Sequence, residues 1–253
     1  MRSGAVLLAA ASLVACSVNA PGFRAAMAQQ QAVVGECNAQ PDSGRPQYIV
    51  GYGSLMQQES RQRTSPRAGP AHPIELSGYM RGWFARGRPV GFSTTFLGVV
   101  PDHRGRLNAV MYEVDVPEVS ATDAREVSYC RTAVAVSQIT ALEPDFSVTP
   151  DSQAWIYVSR AENVAAPSAH YPIVQSYVDI FIAGCLEQEQ SFALAGYSEQ
   201  CVTTTLNWSE HWVNDRIFPR RPFVFQPRAS QIDNLLAAHL ARYFTRIRIE
   251  PPT

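Results

Sequence analysis

The sequence predicts an α+β fold, a small mixed β-barrel with a helical C-terminal extension. Three observations predict it. From Gln47 to about residue 160, apolar runs of strand length alternate with Gly- and Pro-rich breakers. After Pro172 the apolar period changes to that of helices. The chain of 253 residues, 46% apolar and 17% charged, is also long enough to bury one sizeable core. Its 21 basic and 22 acidic residues leave a formal net charge of -1, which offers no broad positive field to a nucleic-acid backbone. Every basic residue is Arg, so no Lys Schiff base, P-loop Lys or Lys-anchored pyridoxal can exist here.

Residues 1–28 read as a signal peptide. Met1-Arg2-Ser3-Gly4 is a short positive start, and Ala5 to Cys16 is an apolar run too short to span a bilayer. Two cleavage sites remain open: a lipoprotein-type cut before Cys16, which would then carry lipid, or a standard cut after Ala28. Either places the product outside the cytoplasm, in a bacterial periplasm, soluble or anchored to the membrane only through an N-terminal lipid. Residues 29–45, rich in Gln, Ala, Gly and Pro, read as a flexible tether.

The β part, residues 46–160, is built from runs at 47–50, 74–84, 92–100, 107–114, 132–139 and 154–158. One helix interrupts them at about Val119 to Tyr129, with Ser120-Ala121-Thr122-Asp123 as its start. Residues 161–253 form the helical extension packed on the same domain. Its first helix carries Ile173, Tyr177, Ile180, Phe181 and Cys185 at helical spacing, the second covers Tyr197 to Trp208, and the third runs from Ile232 to Phe244.

With Cys16 assigned to lipid, four cysteines remain, an even number suited to an oxidising compartment. Cys185 and Cys201 flank a short helical stretch and are the preferred disulfide, leaving Cys37 to pin the N-terminal arm to Cys130. The chain has no Cys-x-x-Cys, and its His residues are scattered, so neither a metal nor a cofactor is expected.

Tyr48 to Met56 is the most informative stretch. A strand runs into Gly51-Tyr52-Gly53-Ser54-Leu55, a turn that can present successive N–H groups to a carboxylate or a developing oxyanion, although Gly-x-Gly also occurs in ordinary turns. Ser54 is not set in a Gly-x-Ser-x-Gly elbow, which argues against a serine nucleophile. About seventy residues on stands Asp123-Ala124-Arg125-Glu126-Val127-Ser128-Tyr129. The two motifs, in this order, resemble the Tyr-Gly-Ser-(Asn/Leu) loop and the Asp-x-x-Glu-x-x-Tyr stretch of the gamma-glutamylcyclotransferase family, over roughly residues 47–160.

The resemblance implies a barrel of gamma-glutamylcyclotransferase-like type. It also implies an enzyme that makes the α-amine of a small γ-glutamyl compound attack its own side-chain carbonyl, releasing 5-oxoproline and a free amine. Glu126 would be the acid/base, the N–H groups of Gly53, Ser54 and Leu55 would hold the substrate carboxylate or oxyanion, and Tyr52 and Tyr129 would shape the pocket wall. Two other outcomes stay open. Glu126 can be an ordinary helix carboxylate paired with Arg125 or Arg131, and the protein can be a non-catalytic envelope lipoprotein with the same fold. The stretch Trp208 to Arg221, dense in aromatics and Arg, reads either as an anion clamp or as a loop fastened by Arg–Asp pairs.

Overall fold

The computed structural model describes residues 36–87, 94–221 and 228–249. The leader and the lipidation site Cys16 lie outside the described residues. In chain order the elements are β1 (Gln47–Gly51), a 3-10 turn (Ser54–Met56), α1 (Gln58–Gln62), β2 (Ala71–Arg86), β3 (Thr95–Val114), α2 (Val116–Arg125), β4 (Tyr129–Val134), β5 (Ile139–Ala141) and β6 (Gln153–Ser159). They continue with β7 (Ile173–Val174), α3 (Gln175–Ser191), α4 (Tyr197–Thr203), β8 (Thr205–Leu206), β9 (Trp212–Asn214), α5 (Ala229–Phe244) and β10 (Arg248–Ile249).

The main sheet is mixed, in the order β4-β6-β1-β3-β2-β5, with β8 added to β2. β1 lies at its centre, antiparallel to β3 and parallel to β6. Among the described residues no pairing joins β4 to β5, so the closed barrel expected from sequence is an open sheet. The sheet nevertheless curls. β4 ends at Val134 and β5 begins at Ile139, yet they stand at opposite ends of the strand order. Five residue steps reach at most about 18 Å, so the two edges face each other across a gap.

Several boundaries differ from the sequence reading, each for a local reason. The run at 107–114 and the described part of the run at 92–100 belong to one strand of 20 residues, which pairs with β2 on both sides of Pro101 to Gly105, while Asp102 to Gly105 have no partner on β2 and form a bulge within it. The register shift between Ser77 and Tyr79 sets Gly78 alone on β2 against Asp102 to Gly105 on β3, and Gly78 has a φ of +86° that only glycine adopts readily. The run at 132–139 divides into β4 and β5 at a 3-10 turn over Val136–Gln138. α2 starts earlier than expected, because Asp115 is its N-cap and accepts the Glu118 N–H at 2.8 Å. It therefore ends before the proposed catalytic carboxylate. Glu126 is its C-cap and Tyr129 the first residue of β4, so neither sits on a helix.

The C-terminal part is not purely helical. It contributes β8 to the main sheet and forms a second sheet in the order β10-β9-β7. α4 stops at Thr203, short of Trp208, and Asn207 adopts φ 59°, a left-handed backbone that ends any helical continuation. α3 is buried on nearly every side. Gly184 is what lets it approach the 3-10 turn, since a Cβ there would lie 2.5 Å from the Gln57 nitrogen and 2.6 Å from the Met56 carbonyl carbon. Trp83 from β2 meets Trp208 at 5.0 Å and Tyr177 at 5.8 Å between ring centroids, joining the C-terminal part to the sheet.

The described part of the expected tether, residues 36–45, is fastened instead of flexible. Cys37 is bonded to Cys130, the Asn38 N–H donates to the Arg131 carbonyl at 2.8 Å, and Arg45 Nε donates to the Asp151 carbonyl at 2.6 Å. Cys185 and Cys201 form the second disulfide, tying α3 to α4. Among the described residues no helix is long and apolar enough to cross a membrane.

Candidate active site

β1 delivers the chain to Gly51, where a Cβ would lie 2.8 Å from the Leu55 Cβ, so only glycine lets the turn fold back so tightly. Two buried arginines hold the loop by its carbonyls. Arg81 Nη1 donates to the Tyr52 carbonyl at 3.1 Å, and Arg61 Nη1 donates to the carbonyls of Leu55 at 3.1 Å and Met56 at 2.5 Å. Leu55 and Tyr52 are themselves buried. The Tyr52 hydroxyl donates to the Tyr157 carbonyl at 2.5 Å and the Tyr129 hydroxyl to the Leu97 carbonyl at 2.8 Å. The hydroxyl protons of both tyrosines are thus committed to the backbone while their rings form wall. Burial raises both phenols well above their ordinary range.

Glu126 follows α2 directly, its N–H bonded to the Thr122 carbonyl at 2.9 Å. Its side chain is 16% exposed and lies 3.1 Å from Arg125 Nε. Of the two pairings open in the sequence, the one with Arg125 is therefore the one formed. Arg131 instead holds Asp123 at 2.9 and 3.2 Å. Burial pushes the Glu126 carboxyl above its ordinary value of 4.5, and the neighbouring Arg125 and Arg221 pull it part of the way back.

Glu126 and the 52–55 loop do share a space. A tight cleft of about 20 Å³ is lined by Tyr52, Gly53, Ser54, Leu55, Glu126, Tyr129 and Tyr177, among others. That volume admits roughly one water-sized group. Ser54, Glu126, Tyr129 and Tyr177 also line a larger cavity of about 500 Å³, a size that suits a small molecule. The candidate residues thus stand where the narrow cleft meets the wide cavity.

The sequence reading missed two groups at this junction. Arg125 figured there only as a partner for Glu126, but its guanidinium also donates to Ser54 Oγ at 3.0 Å, to the Ser60 carbonyl at 2.7 Å, to Ser60 Oγ at 2.9 Å and to Thr64 Oγ1 at 2.9 Å. It braces loop, α1 and α2 together. Tyr177 figured as one apolar position of a helix. Its phenol oxygen stands over the loop, 3.0 Å from where a Gly53 Cβ would be, and its ring lines the cleft beside Ser54. A tyrosine at an apolar helix position is the single signal that could have marked it.

The Trp208–Arg221 stretch divides between its two readings. Arg216 is fastened to Asp179 and Asp233 by four bonds of 2.7 to 2.9 Å, and Asp215 accepts from the Ser176 N–H at 2.7 Å and hydroxyl at 2.6 Å. Those pairs fasten the loop. Arg220 and Arg221 instead line the large cavity. Among the described residues no group of three or more His, Cys, Asp or Glu converges to hold a metal ion.

No family model matches the sequence, and no curated protein matches it. Solved structures similar to the chain include a gamma-glutamyl cyclotransferase, at 11% identity and TM-score 0.46, over 76% of this chain and 99% of that one. A gamma-glutamyl cyclotransferase specific to glutathione from yeast aligns at 12% identity and TM-score 0.39, over 65% of this chain and 99% of that one. An uncharacterized protein from Homo sapiens aligns at 12% identity and TM-score 0.47, over 65% and 92%. All three identities lie below 25% and all three TM-scores below 0.5, so a functional reading must rest on the residues of the site.

Proposed function

We propose that the protein is an exported γ-glutamyl cyclotransferase-like enzyme, which cleaves a small γ-glutamyl amide by intramolecular attack of the α-amine. The observation that carries the reading is that the Glu126 carboxyl and the Tyr52–Leu55 loop line one cleft that opens into a small-molecule cavity. The reacting carbonyl oxygen enters the cleft, and the rest of the substrate occupies the cavity.

The chemistry needs few parts. Nucleophile and electrophile belong to one molecule, so five-membered ring closure gains from proximity and requires neither metal nor enzyme nucleophile. Glu126 as carboxylate takes a proton from the α-ammonium, and the freed amine adds to the γ-carbonyl carbon. The tetrahedral oxyanion is met by N–H groups of the loop, with Gly53 and Leu55 on either side of Ser54. Glu126 then gives that proton to the departing nitrogen as its C–N bond breaks, and takes the second proton from the ring nitrogen and passes it to the released amine, leaving 5-oxoproline and the free amine as its ammonium. An ammonium near pKa 8 is a weak donor to an ordinary carboxylate, and each pH unit by which burial raises Glu126 removes about 1.4 kcal/mol from that transfer.

Export rests on the leader-like residues 1–28 and on two disulfides, which suit an oxidising compartment. A second reading, a non-catalytic envelope protein binding a small ligand in this cavity, is favoured by the Glu126–Arg125 contact and by the Tyr177 phenol that stands over the loop. The test is a mass-spectrometric assay for 5-oxoproline, with purified protein and a panel of γ-glutamyl dipeptides, γ-glutamyl amines and glutathione, beside Glu126→Gln. Release lost in the variant supports the cyclotransferase. Silence across the panel from folded protein supports the binding protein.

A further inference from the structure

Arg125 touches both halves of the candidate site at once. It is the last residue of α2, and Glu126 follows it directly. Its Nη2 donates to Ser54 Oγ at 3.0 Å and to Ser60 Oγ at 2.9 Å, and its Nη1 to the Ser60 carbonyl at 2.7 Å and to Thr64 Oγ1 at 2.9 Å. The N–H groups of both terminal nitrogens are thus taken. Its Nε stands 3.1 Å from Glu126 Oε1. Arg61 and Arg81 hold the loop by backbone carbonyls. Arg125 instead grips a loop side chain with one nitrogen and faces the carboxylate with another.

A planar guanidinium held by four bonds has one place to sit, and it passes that place on to every group it contacts. Ser54 and Arg125 are 71 residues apart in the chain, so no local backbone geometry fixes the loop against the end of α2. Ring closure is sensitive to that spacing, because base, amine and carbonyl must be aligned in one encounter. The same cation acts on the carboxyl. Arg125 and then Arg221 are the two charges that draw Glu126 back toward ionisation against its burial. The other titratable groups around it are the phenols of Tyr52 in the loop, Tyr112 on β3, Tyr129 on β4 and Tyr177 on α3. All four are raised by burial and so neutral at physiological pH.

We infer that Arg125 is the positioning residue of this site, a single guanidinium that sets the Ser54 side of the loop and the Glu126 carboxylate at a fixed distance, so that base and oxyanion donors stay in register. The inference rests on the cyclotransferase reading and deepens it. It also gives the Glu126–Arg125 contact, which taken alone favours a silent site, a part in the working arrangement.

The test uses Arg125→Gln, Arg125→Lys, Ser54→Ala and the double variant of Ser54→Ala with Arg125→Gln. Kinetics of 5-oxoproline release are followed across the acidic and neutral range with the best substrate of the γ-glutamyl panel. Hydrogen exchange of the loop amides and an NMR titration of the Glu126 carboxyl, assigned against Glu126→Gln, are read on the same proteins. Arg125→Gln is expected to lower kcat by roughly tenfold to a hundredfold with KM little changed. It also moves the acidic limb to higher pH, because a cation that favours ionisation is gone. Arg125→Lys keeps the charge and loses the fork, so kcat falls while the limb stays. Ser54→Ala lowers kcat by less and adds little to Arg125→Gln, since both cut the same bond. If Arg125→Gln does not fold, Arg125→Lys completes the same cycle with Ser54→Ala. Unchanged kcat in Arg125→Gln, additive losses in the double variant, or an unmoved limb in Arg125→Gln overturns the positioning role and leaves the cyclotransferase standing. Without turnover in the wild type the cyclotransferase reading falls, and exchange and titration decide the brace by themselves. Loosened loop amides and a raised Glu126 titration in Arg125→Gln uphold it, and unchanged ones overturn it.

Discussion

Arg81→Met isolates the contact that ties the candidate loop to the C-terminal part. Arg81 is wholly buried, and its partners are the hydroxyls of Thr205 at 2.8 Å and Thr204 at 3.1 Å, Asn108 Oδ1 at 3.0 Å, and the carbonyls of Asn108 at 2.8 Å, Tyr52 at 3.1 Å and Cys201 at 3.1 Å. None is a carboxylate, and the cation also lies 4.7 Å over the Phe181 ring. Desolvation draws its pKa down to about 10, which still leaves it charged at neutral pH. Methionine keeps most of the volume. The Cys201 carbonyl retains the Thr205 hydroxyl at 2.6 Å, and the Thr204 hydroxyl retains the Gln200 carbonyl at 2.6 Å. The carbonyls of Tyr52 and Asn108 and the Asn108 Oδ1 lose the bonds they draw from Arg81. Three acceptors stripped at about 1–3 kcal/mol each, less the relieved desolvation of the guanidinium, give a loss of about 2–5 kcal/mol. Urea unfolding under non-oxidising, non-reducing conditions, followed by tryptophan fluorescence, should show the midpoint falling by roughly 1 M. A loss below about 1 kcal/mol, or full stability in Arg81→Lys, would refute the reasoning, because Lys cannot reach six dispersed acceptors.

Activity should rise with pH through a limb above 4.5, because the raised carboxyl of Glu126 must ionise to act as base, and Arg221→Gln should move that limb higher by removing a cation that favours ionisation. In the same window stability should fall as pH rises, since the folded state binds the Glu126 proton more tightly than the unfolded state does, and Glu126→Gln should reduce this slope in pH-dependent denaturation, the raised carboxyls of Asp179 and Glu187 supplying the rest. Gly184→Ala should destabilise by about 1–2 kcal/mol in thermal unfolding: a helix gains about 1 kcal/mol from Ala, but a Cβ 2.5 Å from the Gln57 nitrogen forces backbone apart. The Cys37–Cys130 bond closes a loop of 93 residues and the Cys185–Cys201 bond one of 16, so replacing each pair by Ala should cost about 4.7 and about 3 kcal/mol, the first more than the second in denaturant titrations.

What the sequence determined by itself was whatever depends on neighbours along the chain. Alternation and breakers located strands at 47–50, 74–84 and 154–158, helical spacing located α3 and α5, and the order of Tyr52-Gly53-Ser54-Leu55 and Glu126 marked the two halves of one site. Local signals failed where a distant partner overrules them. Pro101 to Gly105 reads as a break between strands, but pairing with β2 on both sides of it keeps it inside β3 as a bulge. Glu126 reads as helical, but Asp115 caps α2 early and leaves the carboxylate at its end, facing the cleft. Only the tertiary structure decided that the sheet stays open, that Tyr177 stands over Gly53 from a helix more than a hundred residues away, and that Arg86 and Arg221 line one cavity. Periodicity reports which side of an element is buried. It carries no information about which other element lies against that side, and the chemistry of this cavity is a property of those meetings.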